Sequence, residues 1–264
     1  VVPVLNVLYR LMRLSYEKLY GEQQMLHYPL YKDGTENLLQ GQTYFTDFCL
    51  ANIPDVGSKR LLDIGCGNGI QTLYIGGAYR PRYLYGVDLN PMHIEMARRE
   101  GARRGLSDVG FAVDNSQVLA SVADNSFDAA ICIESSHHYP DKERFLDQLH
   151  RVLRPGGQFV IADLIQKEER EPNAIEKKMF LFHWYPRKYR EAISRRHFTL
   201  VKEEDITDAI LPAFHSTDHW LQKPANLSAA SHWFGKWLGR ALIKAYKLQL
   251  EHYFRYYLIV GRKD

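Results

Sequence analysis

The sequence predicts an α/β fold: a doubly wound, mostly parallel sheet of seven strands, with a helical lid inserted late in the chain. Three observations lead there. Short β-rich runs alternate with longer helical patterns between residues 60 and 163. Strand–helix–strand repeats of this kind fold as a sheet with helices on both faces. Glycines cluster after the first run, at Gly65, Gly67 and Gly69. Past Asp163 the composition changes, and all four tryptophans (Trp184, Trp220, Trp233 and Trp237) lie there.

Taken in order, "RLLDI" (60–64), "YLYGVD" (83–88), "VGFAV" (109–113), "FDAAICI" (127–133) and "GQFVIAD" (157–163) read as strands. Their near-continuous apolar character suits a parallel sheet covered on both faces. Asn90 before Pro91 supplies an N-cap and a first-turn proline, and Gly105 sits where that helix should stop. After Asp141, the residues Phe145, Leu146, Leu149, Val152 and Leu153 share one helical face, and "RPGG" (154–157) ends the helix. Residues 164–197 and 208–250 read as helical, "HFTLVKEEDIT" (197–207) as a sixth strand and "YFRYYLIVGR" (253–262) as a seventh. The organisation expected is an N-terminal helical segment (1–50), an α/β core (51–163), an aromatic-rich lid (164–250) with one core strand near 198–206, and a final core strand (251–264). The tryptophans belong either to the core or to a lid lining an organic pocket.

The chain has 264 residues, 45% hydrophobic and 25% charged, an ordinary balance for a soluble globular protein. Its net charge of +3 is too mild to imply a nucleic-acid partner. The three cysteines (Cys49, Cys66 and Cys132) lack metal-ligand spacing and suggest a reducing, cytoplasmic setting without disulfides. No apolar run reaches the ~18 residues of a membrane span. The opening "VVPVLNVLYRLMRLSYEKL" reads as an amphipathic packing helix, with membrane-surface association as the lesser alternative. Oligomeric state is not legible.

"LLDIGCGNG" (61–69) follows the first strand and opens a helix. Without Cβ atoms the backbone turns sharply and a ligand can lie against it. Asp88 ends the next strand, about twenty residues on, where a carboxylate accepts both hydroxyls of a ribose. The loop has no lysine for phosphates, and Asp63 precedes its first glycine. An acid there disfavours a pyrophosphate and suits a cationic amine, which points to S-adenosylmethionine (SAM) over NAD. Cys66 inside the loop reads as a small side chain in a crowded turn rather than as a nucleophile.

"LLDIGCGNG", "VDLN", "ADNSFDAAICIESSHHYPD" and "LHRVLRPGGQFVIADL" resemble class I SAM-dependent methyltransferases. More narrowly, they resemble natural-product sugar O-methyltransferases, sterol-type C-methyltransferases and phthiotriolone-type O-methyltransferases. The resemblance implies a Rossmann-like methyltransferase fold with SAM as cofactor and S-adenosylhomocysteine as product. It places Asp63, Gly65 and Gly67 around the methionine part of SAM, Asp88 on the ribose, and Cys66 and Leu89 among the cofactor-binding residues. "VDNSQ" departs from the family spacing by about one residue, so either Asp114 or Asn115 meets the adenine. "MLHYPLY" (25–31) is similar to the segment that closes over SAM, which puts Tyr20 and Tyr28 near the cofactor and makes residues 20–35 a closing element. The lid matches no one member well enough to carry over a substrate.

"ESSHHYP" (134–140) follows the fourth strand, so Glu134, His137 and His138 lie at the carboxyl edge of the sheet, where open α/β sheets bind ligands. Asp163 ends the fifth strand at the same edge. The resembled sugar O-methyltransferases carry the same acid–serine–histidine–histidine run and an aspartate at the next strand end. His137 is therefore the expected general base, Asp163 its partner and His138 the second candidate; no metal site is expected. Glu134 either contacts the SAM amine or caps the turn. The expected reaction is methyl transfer to a hydroxyl of a mid-sized, partly apolar acceptor such as a natural product, sugar or lipid. Carbon methylation of an alkene or enol, a non-methylation reaction on a retained SAM, and nucleic-acid methylation are the alternatives. The last lacks the Asn/Asp-Pro-Pro-aromatic run of base methylation and the basic surface for a backbone.

Overall fold

The computed structural model describes residues 24–33, 36–178, 180–213 and 252–264. Helix α1 (Leu38–Leu50) opens on a reciprocal cap: the Asn37 side chain accepts from Gln40 N–H, and Gln40 reaches back to the Asn37 backbone. Strand β1 (Arg60–Ile64) leads through the glycine loop into α2 (Ile70–Ala78). Then come β2 (Tyr83–Asp88), α3 (Pro91–Arg103), β3 (Gly110–Val113) and β4 (Phe127–Ile133). Asn90 caps α3 by accepting from Met92 N–H, with Pro91 in the first turn as expected.

A short 3₁₀ turn (Ser136–His138) separates β4 from α4 (Lys142–Val152). Asp141 caps α4 by accepting from Arg144 N–H. The remaining elements are β5 (Leu153–Gln166), α5 (Ala174–Lys178), α6 (Pro186–Ser194), β6 (Phe198–Asp205), α7 (Thr207–Ile210) and β7 (Phe254–Lys263).

The seven strands form one sheet in the order β3-β2-β1-β4-β5-β7-β6. The pairs β1–β2, β1–β4, β2–β3 and β4–β5 are parallel, while β7 runs antiparallel between β5 and β6. The chain builds β2 and β3 on one side of β1, then returns to place β4 on the other. That reversal opens a crevice at the carboxyl ends of β1 and β4, where open α/β sheets bind ligands. Apolar layers cover both faces. One holds Leu62, Ile64, Phe145, Leu149, Ile161 and Trp184; the other holds Phe45, Leu61, Ile131, Val160, Tyr256 and Leu258.

Two expectations change, and one open alternative closes. Leu153 leaves the helical face: it is the extended C-cap of α4 (ψ 141°), and β5 starts there because Leu153 pairs with Phe127 of β4. Residues 164–197 are not mainly helical. β5 continues to Gln166, and the helical stretches are short, with Pro186 fixing the start of α6. Trp184 is core: it is 8% exposed and packs edge-on to Tyr189. The expected helices at 1–23 and over most of 208–250, with Trp220, Trp233 and Trp237, lie outside the described residues.

Candidate active site

The glycine loop joins β1 to α2 through three left-handed residues, Gly65 (φ +76°), Gly67 (φ +54°) and Gly69 (φ +77°). Glycine is required on space as well as on φ. A Cβ on Gly65 would sit 1.9 Å from Ser135 Oγ, and one on Gly69 would sit 2.4 Å from Ala97 Cβ. Gly65 and Cys66 N–H both donate to Val87 O (2.8 and 3.0 Å), fastening the loop to β2. Cys66 points away from the crevice, into a buried cluster with Leu73, Ile94 and Phe111. Its burial raises the thiol well above its ordinary range, so it is a packing group.

Asp63 is 1% exposed and accepts from Thr72 Oγ1 at 2.7 Å and from Gln71 Nε2 at 3.2 Å on each oxygen. Burial pushes this carboxyl up to about 6 against those hydrogen bonds. Asp88 accepts from Gly67 N–H (3.0 Å) and Asn90 N–H (2.8 Å), with His93 Nδ1 at 3.3 Å. Its carboxylate is thereby held at the mouth of the loop. Five large apolar side chains stand exposed among the described residues, and three of them surround this mouth. Leu26 overhangs Gly67, Leu89 follows Asp88, and Val113 pairs in register with Asp88. Val113 carried no signal of this role in the sequence.

Asp114 turns inward. Its two oxygens accept from the N–H groups of Asn115 (2.7 Å), Ala120 (3.2 Å) and Ser121 (2.7 Å) and from Ser121 Oγ (2.6 Å). Asn115 Oδ1 accepts from Gln117 N–H at 2.9 Å.

The histidine turn lies where β4 ends. Asp163 is 1% exposed and gathers four donors: Ser136 Oγ (2.6 Å), His137 N–H (2.9 Å), Leu164 N–H (2.8 Å) and the His137 ring, whose Nδ1 lies 2.6 Å from Oδ1. Burial would raise this carboxyl, but the His137 ring and the bond from Ser136 outweigh it and hold it below the usual carboxylate range. An ionised Asp163 fixes the His137 tautomer with its proton on Nδ1, which leaves Nε2 as the basic atom.

His138 is spent differently. Its Nδ1–H donates to Phe180 O (2.9 Å), and burial lowers it to about 3. His183 was not singled out in the sequence. It stacks on His137 at 5.6 Å, donates Nδ1–H to Leu164 O (3.0 Å) and is lowered to about 4 by burial. Lys142 was also missed. It is 1% exposed, donates to Tyr139 O (3.0 Å) and Phe182 O, and is lowered to about 7 by burial. Among the described residues no cluster of histidine, cysteine and carboxylate is arranged to hold a metal.

Residues 24–31 cross the glycine loop. Gln42 exchanges hydrogen bonds with Met25 (2.9 and 2.8 Å) and holds His27 O (2.7 Å), while Asn68 of the loop donates to Gln24 O (2.8 Å). Tyr28 N–H and Tyr256 OH both donate to Glu134 Oε1, at 2.6 and 2.8 Å. Tyr20 lies outside the described residues.

Residues 62–161 match a family model described as a methyltransferase domain. A fatty-acid O-methyltransferase from Mycolicibacterium smegmatis is 36% identical over 144 residues, which are 54% of this chain and 50% of that protein. The chain thus spans half the length of this relative. Among solved structures, the [4+2]-cyclase SpnF superposes with TM-score 0.76 at 22% identity, covering 96% of this chain and 95% of its own. Geranyl diphosphate C-methyltransferase from Streptomyces coelicolor A3(2), solved with Mg2+, geranyl diphosphate and S-adenosylhomocysteine, gives TM-score 0.72 at 17% identity, covering 94% and 96%. Identities this low speak for a shared fold, the seven-stranded Rossmann-like sheet with its switch point between β1 and β4. Residues 62–161 are thus similar to methyltransferase domains, on a fold shared with these solved structures.

Proposed function

We propose that the chain is a SAM-dependent methyltransferase acting on a hydroxyl of a mid-sized, partly apolar organic acceptor, with His137 as general base and Asp163 as its orienting partner. The observation that carries this reading is the 2.6 Å contact of His137 Nδ1 with buried Asp163, beside the glycine loop. The residues present fit SAM. Gly65 and Gly67 let Ser135 and Leu26 close in on the loop backbone, Asp88 stands at the loop mouth as the acid for ribose hydroxyls, and Leu26, Leu89 and Val113 offer apolar walls for an adenine. Asp114 and Asn115 both stay candidates for the adenine: the oxygens of Asp114 serve the loop, and Asn115 Oδ1 accepts from Gln117 N–H. The fatty-acid O-methyltransferase relative supports oxygen as the methylated atom and a lipid-like acceptor.

When bound, SAM supplies an activated methyl group on a positive sulfur. The protein's task is to hold the acceptor in line with it and to take the hydroxyl proton as the oxygen attacks. His137 Nε2 accepts that proton. Asp163 then stabilises the imidazolium across Nδ1–H, much as a buried aspartate supports a base histidine in hydrolases. His138 is the weaker base: its Nδ1–H meets a neutral carbonyl rather than a carboxylate, and burial lowers the ring to about 3, which disfavours its charged form.

Incubation with SAM and hydroxyl-bearing lipid and glycosylated acceptors, followed by mass spectrometry, should show S-adenosylhomocysteine and an O-methylated product. His137→Ala should lower turnover by about 10²–10⁴-fold. Methyl found on carbon, or full activity in that variant, would refute the assigned chemistry.

A further inference from the structure

Glu134 is built unlike its neighbours. It holds a left-handed backbone (φ +48°), a conformation that non-glycine residues adopt only where the surroundings impose it. Its N–H donates to Ala162 O (2.8 Å), so it is pinned to β5 just as β4 ends. From there its carboxyl faces two donors from distant parts of the chain, Tyr28 N–H and Tyr256 OH, both directed at Oε1. Ending the strand needs none of this.

Further holds on residues 24–31 come from α1 and from the loop. Gln42 grips Met25 and His27, Gly41 O accepts from Leu30 N–H (2.9 Å), and Asn68 grips Gln24. Glu134 alone among these holds sits on the sheet edge that carries His137, three residues before it. With Leu26 seated over Gly67, the segment roofs the mouth where Asp88 lies.

We propose that Glu134 is a positioning residue: its Oε1 latches residues 24–31 over the Gly65–Gly67 loop, through hydrogen bonding rather than charge, and so keeps the cofactor pocket closed beside His137. The ligand named in the test rests on the methyltransferase reading above; the latch itself does not. Both donors converge on one oxygen, so a carboxamide oxygen in the same place serves equally well. Burial pushes the carboxyl up to about 8, consistent with an acceptor that works uncharged near neutrality.

The test is a series at one position, read by amide hydrogen exchange at Tyr28 in ligand-free protein and by calorimetry with S-adenosylhomocysteine. Glu134→Gln should leave both within about 3-fold of the parent. Glu134→Ala, and Glu134→Asp, whose shorter side chain cannot span the distance, should speed Tyr28 exchange by about 10-fold or more and weaken binding by about 5–50-fold. A charged contact to the ligand's amine would reverse the series, with Asp tolerated and Gln not, and would overturn the proposal. Unchanged Tyr28 exchange in both the Ala and Asp variants would overturn it as well. Absence of S-adenosylhomocysteine binding by the parent protein would refute the cofactor reading, while the exchange series still decides the latch.

Discussion

Asp88 shows how one carboxylate can tie a loop together and, in the site proposed above, also face the ribose. It orients Gly67 and Asn90 through their N–H groups and still presents a lone pair to the mouth of the loop. Asp88→Ala should therefore weaken SAM binding by roughly 1.5–3 kcal/mol. Because its donors then lose their acceptor, the variant should also unfold at lower urea. Calorimetry showing unchanged affinity would remove Asp88 from the cofactor site. Its place was legible, since spacing from a glycine loop follows from the length of one strand–helix–strand unit. The direction in which Asp114 turns was not legible in sequence, because it is set by a donor further along the loop. Ser121, seven positions on, captures Asp114. His183 and Lys142 were invisible for a similar reason: a stacking ring and a buried amine leave no periodic trace.

At the scale of the element, a tight constraint is where α2 starts against α3. Gly69 and Gly105 share the left-handed conformation, yet a Cβ at Gly69 would lie 2.4 Å from Ala97 Cβ, while one at Gly105 meets nothing within 4 Å. Gly105→Ala should then cost only the backbone term, about 1 kcal/mol, and Gly69→Ala about 2–4 kcal/mol because overpacking adds to it. Urea denaturation measures both, and equal costs would mean that α2 and α3 are free to separate. The cap at Asn90 was readable because capping is local chemistry. The end of α4 was not. Leu153 fits the helical stripe, and only pairing of Phe127 with Leu153 in the sheet pulls it into β5.

For the whole molecule, burial of neutral histidines sets the acid limit. His27, His138 and His183 are lowered to about 4, 3 and 4, each chiefly by burial. An unfolded chain takes up protons on these rings below about pH 6.5, whereas the folded one does not until near pH 4. Stability should therefore fall as pH drops from about 6.5 toward 4, by on the order of 1 kcal/mol per pH unit for each histidine. Glu134 and Asp63, raised to about 8 and 6, act in the opposite sense, so the net slope is smaller than the sum over the histidines. His27→Gln should reduce the slope by one histidine's share in urea melts at pH 5 and 6. An unaltered slope would mean that His27 is already protonated in the fold.

The sequence by itself determined the α/β alternation, the strand cores, the helix caps, the glycine loop with its acid, and the residence of His137 and Asp163 at neighbouring strand ends. Each of these rests on interactions within one or two successive elements, whose periodicity and spacing are written in the chain. Tertiary structure alone decided which groups meet across long separations. Tyr256, from the antiparallel strand β7, reaches Glu134; Leu26 covers Gly67; and Phe182 N–H seats the His137 carbonyl (2.7 Å). Those contacts depend on strand order and on where loops fold back. A carboxyl or ring is assigned its task by the donors that the rest of the chain brings to it, and no local pattern encodes that meeting.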